Sequence, residues 1–160
     1  MNPQTPTNPA SFQRIYTLIY LAQLASVFIY GIVVMVVGID EIGGSAGTLF
    51  FPFAGISIIL AVSGLFLRSR ILQVDAGIDY AEAQGKFSTM FLVIIALFEA
   101  IAIFGLVLAL LGGGMKMYLN FAIPSLALLL CQYPLLGQLV EKLEEIHRRN
   151  PSDERERPKA

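Results

Sequence analysis

Apolar residues in this chain gather into four long runs, each close to or above the roughly 20 residues that a helix needs to cross a bilayer. They are "IYTLIYLAQLASVFIYGIVVMVVGI" (15–39), "TLFFPFAGISIILAVSGLFL" (48–67), "FSTMFLVIIALFEAIAIFGLVLALL" (87–111) and a run beginning "MKMYLNFAIPSLALLLCQY" at 115. The last carries Pro124 and Pro134, so its membrane-crossing part is expected over 115–134. Beyond it, Leu135, Leu139, Leu143 and Ile146 recur at helical spacing with Glu and Lys between them. That pattern predicts an amphipathic helix over 135–149, able to lie along a membrane surface.

The polar stretches define the connections. "DEIGGSAG" and "GGGMK" are short and Gly-rich, which predicts that the first and second helices, and the third and fourth, are antiparallel neighbours. The loop over 68–86 is longer. The ends, 1–14 and 150–160, are polar and Pro-containing, the second also highly charged and expected to be disordered. The start lacks the basic n-region and cleavage site of a signal peptide, so the first helix is expected to be retained. The expected fold is an all-α integral membrane protein: four transmembrane helices as two antiparallel hairpins, plus a C-terminal amphipathic helix.

Composition agrees with lipid as the solvent. The chain is 56% hydrophobic and 14% charged, with mean hydropathy +0.69, whereas soluble domains carry about 25% charged residues. No basic stretch interleaved with aromatics suggests nucleic-acid binding. The single cysteine, Cys131, allows no intrachain disulfide and no zinc site. The single histidine, His147, lies in the charged "EEIHRRN" and reads as a solvated residue. No soluble-enzyme constellation, metal-ligand cluster or phosphate-binding glycine loop is present, and no cofactor is expected.

Charge placement sets orientation. With four spans, Arg14, Arg68, Arg70, Lys86, Lys142, Arg148, Arg149, Arg155, Arg157 and Lys159 fall on one side and only Lys116 on the other. The excess of cations on the cytoplasmic side of membrane proteins then puts both termini in the cytoplasm. The expected location is a bacterial inner (plasma) membrane.

One residue breaks the apolar third run. Glu99 has twelve residues of that run on each side and no cation near it in sequence, so it is expected near the bilayer midplane. A charged side chain there costs about 2.5–3.5 kcal/mol on insertion scales. The protonated acid is the expected resting form, and such a group can carry a proton. Its hydrogen-bonding groups need partners, and the candidates at similar depth are Gln23, Ser26, Ser57 and, more loosely, Gln132. Tyr30 and Ser63 are the other main polar residues of the interior. A second reading makes Glu99 a packing contact that fixes helix register, since hydrogen bonds between membrane helices contribute about 0.6 kcal/mol on average. A third makes it a contact for another membrane protein. Sodium is disfavoured against a proton, because Ile95, Ala96, Ala102 and Ile103 around Glu99 offer no side-chain oxygen.

Residues 81–111, "AEAQGKFSTMFLVIIALFEAIAIFGLVLALL", resemble the carboxylate-bearing helix of the ATP synthase c subunit, the proteolipid of rotary ATPases. In that family a polar loop leads into a helix with a mid-membrane acid, followed by a segment of the type A-x-x-I-[YF]-G-L-V. Here Glu99, Ala100, Ile103, Phe104, Gly105, Leu106 and Val107 stand in that order. The resemblance implies that Glu99 takes the place of the proton-carrying carboxylate and that the chain works in a homo-oligomer or with another membrane protein.

Overall fold

A computed structural model describes residues 9–37, 46–71, 73 and 80–149. Five α-helices follow one another: α1 (Pro9–Val37), α2 (Ala46–Ile71), α3 (Tyr80–Leu108), α4 (Gly114–Leu130) and α5 (Tyr133–Arg149). There is no strand among the described residues. Apolar runs fold this way because hydrocarbon offers backbone N–H and C=O groups no partner, and a helix satisfies them within the segment.

Three stretches are long and apolar enough to cross a membrane: Ser11–Val37, Ala46–Ile71 and Tyr80–Arg148. The chain is thus built as a membrane protein is. The third stretch is no single rod and contains both the third and the fourth expected spans. It bends first at Ala109–Gly113, where Gly112 has φ 96° and ψ 10° and Gly114 has φ 60° and ψ −167°, angles that L side chains rarely adopt. It breaks again at Cys131 and Gln132, after which Pro134 sits in the first turn of α5, where its missing N–H costs no helical bond.

α3 is the centre of the bundle and packs on α1, α2, α4 and α5. Its 29 residues extend about 43 Å, against about 30 Å of bilayer hydrocarbon. The polar "YAEAQGK" at its start makes up the excess. Phe87, Phe91, Ile94, Ile95, Phe98, Ala102 and Leu108 are fully buried.

Contact registers give the direction of each helix. Tyr16 meets Phe91 edge-on, and Ser26 meets Glu99, so α1 and α3 run parallel. Phe53 stacks on Phe104 and Gly64 abuts Phe98, so α2 opposes α3. Gly105 abuts Tyr118 and Phe121, and Ser125 Oγ donates to the Phe98 carbonyl at 2.7 Å, so α4 also opposes α3. Tyr118 and Tyr20 fasten α4 to α1 by donating to the carbonyls of Val27 and Leu129.

The structure corrects three expectations. First, α1 and α2 are not a closely packed pair: α1 packs on α3, α4 and α5, while α2 packs chiefly on α3. The link over 38–45, which lies outside the described residues, is long enough to reach roughly 25 Å when extended, more than one helix diameter. A short connection therefore does not force face-to-face packing. Second, the apolar face of α5 is not turned to a membrane surface. Leu135, Leu139, Leu143 and Ile146 are at most 2% exposed, covered by α1 and α3. α5 is thus a further part of the bundle. Third, tyrosines toward span ends are expected to anchor at the membrane interface, yet of Tyr16, Tyr20, Tyr118 and Tyr133 the first three are buried inside the bundle and only Tyr133 is exposed. The helices also overrun their expected bounds, α2 reaching Ile71 and α3 starting at Tyr80, so the 68–86 loop is shorter than expected, while α4 ends at Leu130, short of 134. The tail over 150–160 lies outside the described residues.

Candidate functional site

The polar centre of the bundle is the seam between α1 and α3. Ser26 and Tyr30, four residues apart, share one face of α1, and both reach Glu99. Ser26 Oγ lies 2.6 Å from Glu99 Oε1, and Tyr30 OH lies 2.9 Å from the same oxygen. Ser26 Oγ also lies 2.7 Å from the carbonyl oxygen of Gln23, one turn earlier on α1. Four residues of two helices thus form one connected set of oxygens.

The rest of the surroundings are apolar. Val27, Ile95, Phe98 and Ala102 are buried beside Glu99 in sequence or across the seam. Glu99 itself is half-buried. Among the described residues it makes no ion pair, and none donates a hydrogen bond to Oε2.

The expected partners separate on inspection. Ser26 is brought to Glu99. Gln23 joins through its backbone carbonyl and not through its amide side chain, which makes no hydrogen bond among the described residues. Ser57 does not join: it lies on α2, which packs chiefly on α3 and not on α1, and its Oγ is buried without a partner among the described residues. Gln132 does not join either. It is fully buried at the joint of α4 and α5, its Nε2 facing the Leu128 carbonyl at 3.4 Å and its Oε1 unpartnered among the described residues. Ser125 lies across from Phe98, which places Gln132 about two turns of α3 away from Glu99.

Tyr30 is the partner that the sequence reading did not assign. Its signal was present: a hydroxyl four residues after Ser26 falls on the same helix face. Similar depth in the membrane does not separate one helix face from another.

No known family model matches the chain, and no curated protein or solved structure shows significant similarity to it.

Proposed function

We propose that this chain is a four-span membrane protein in which Glu99 is a proton-binding site, held neutral inside the bilayer and able to exchange its proton. The alternating directions of α1 to α4 support four crossings, with α3 and α4 as one hairpin, and with α1 and α2 joined in sequence yet separated by α3. The cation distribution supports cytoplasmic termini, in a bacterial inner membrane.

The observation that carries the proposal is a chain of short oxygen–oxygen contacts at Glu99. Three short oxygen–oxygen contacts link Gln23, Ser26, Glu99 and Tyr30. A hydroxyl has one proton to donate, so Ser26 and Tyr30 supply two for three contacts. A proton on Oε1 supplies the third. Tyr30 O–H then donates to Oε1, Oε1–H donates to Ser26 Oγ, and Ser26 O–H donates to the Gln23 carbonyl. An ionised Glu99 leaves one contact without a proton, at a depth where charge is already costly. Hydroxyls that both donate and accept can reorient as the proton leaves and returns.

One carboxyl does not make a path across a membrane, so the proposal is proton binding and release within a larger assembly. The resemblance of residues 81–111 to the c-subunit helix supports this chemistry. A rotor ring is not proposed, because α2 carries only the widely spaced Gly47, Gly55 and Gly64 where that family has a glycine ladder.

The test is infrared spectroscopy in lipid vesicles at neutral pH. A carboxylic-acid C=O band that disappears in Glu99→Gln is expected, with prompt carbodiimide labelling at Glu99 and, in the native membrane that holds the assembly, loss of proton flux in the same variant. Carboxylate bands alone would end the proposal. The packing reading draws on the same two bonds, since both tie α1 to α3. Under it, Glu99→Gln leaves flux unchanged and Glu99→Leu loosens the bundle.

A further inference from the structure

We infer that a second copy of this chain docks on the outer side of the α1–α3 seam, with Gln23 of each copy donating to Glu99 Oε2 of the other. The inference rests on the four-span, neutral-acid reading above and adds the partner to that site.

Two polar groups on this seam are left over by the chain's own contacts. Oε1 of Glu99 is in contact with both hydroxyls, and Oε2 has no donor among the described residues. With the proton on Oε1, Oε2 is the carbonyl oxygen and needs a donor. The amide of Gln23 is a donor without an acceptor. Both residues are half-buried, and Gln23, Ser26 and Tyr30 share the α1 face that meets α3. Polar groups at this depth almost always face a bundle interior or a partner. Here one donor on α1 and one acceptor on α3 border the same seam, each on a half-buried residue.

Such a pair is self-complementary. A two-fold axis along the membrane normal keeps every residue at its own depth. Gln23 is three residues from Ser26, about 4.5 Å along the helix, a difference a glutamine side chain can span. Two donors then meet two acceptors in an isologous contact. The flanking surface suits close approach: Ala22 on α1 and Ala96 on α3 are exposed, and small residues let membrane helices come together. Leu92 and Ile103, each 38% exposed, extend the same face. The outer face of α2 carries large apolar residues such as Ile58, Ile59 and Val62 and no comparable polar pair.

The experiment is disulfide trapping in vesicles, with the full chain in a Cys131→Ser background. Ala96→Cys is expected to give a covalent dimer under mild oxidant, and Val62→Cys on α2 is expected to stay monomeric. Adding Gln23→Leu should lower the Ala96→Cys dimer several-fold. That substitution removes no bond within the chain, so the melting temperature should hold. A monomer at Ala96→Cys, a dimer through Val62→Cys, a cross-link to a different protein, or a dimer indifferent to Gln23→Leu each overturns the inference. The infrared band of Glu99 reads the proton-binding proposal separately, so either can fail alone.

Discussion

The ring of Phe98 occupies the space that Gly64 leaves open on α2: a Cβ at position 64 would stand 2.4 Å from the ring's Cε1. Phe98 is fully buried and cannot retreat without disturbing α4, whose Ser125 holds the Phe98 carbonyl. Overpacking of this kind costs about 1–3 kcal/mol. Gly64→Ala should therefore lower the melting temperature in detergent. Gly55→Ala, with nothing within 4 Å of its Cβ, should leave it unchanged.

The three-contact set around Glu99 gives a second prediction. Ser26→Ala and Tyr30→Phe should each cost about 0.6 kcal/mol, and at most about 1.7. The two differ in spectroscopy. Ser26→Ala removes the acceptor of the carboxyl proton, so the acid C=O band should move to higher frequency. Tyr30→Phe removes only a donor and should shift it less. Equal shifts would contradict the assigned proton positions.

The turn between α3 and α4 gives a third. Gly114, at φ 60° and ψ −167°, occupies a region that is nearly glycine-only, where another residue costs about 1–3 kcal/mol. Gly114→Ala should weaken the association of α3 with α4, measured by unfolding in a denaturing detergent. Gly137→Ala, in the open on α5 with nothing within 4 Å, is the matched control and should be neutral.

Much of the architecture could be read in the sequence because hydrocarbon imposes a simple rule: long apolar runs become helices. Glu99 stood out for the same reason, as a polar residue far from either end of such a run. Packing partners were not legible. Link length suggested that α1 and α2 touch, whereas Gly64 and Phe98 direct α2 onto α3. The amphipathic pattern of α5 was visible, but periodicity shows only that one face is apolar. Phe12, Tyr16 and Phe87, all buried in the same core, belong to the bundle that covers it.

That covering leads to a fourth prediction. Leu143, fully buried on α5, should tolerate no charge. Leu143→Asp should release α5 and make the chain after Gln132 sensitive to protease, while a helix lying on lipid would stay protected by the vesicle surface. Glu144→Gln, half a turn from the core on an exposed position, should have no such effect.

Tyr80 supplies the fifth. Its hydroxyl is buried without a partner among the described residues, beside the ring of His147 at 5.2 Å between centroids, and burial pushes the phenol above its ordinary range. A buried group with no hydrogen bond is a cost to folding, so Tyr80→Phe should be neutral or stabilising. The folded chain holds the phenol proton more tightly than the unfolded chain does, so stability falls as pH rises through the phenol range. Tyr80→Phe should flatten that alkaline slope in thermal melts.

The parallel course of α1 and α3 bears on how the site comes into being. A ribosome makes Ser26 and Tyr30 some seventy residues before Glu99. If the spans leave the insertion machinery in the order of synthesis, both hydroxyls are waiting in the lipid when the acid arrives. The carboxyl then need never sit alone in oil, and a chain with α1 deleted should stall at the insertion of its third helix.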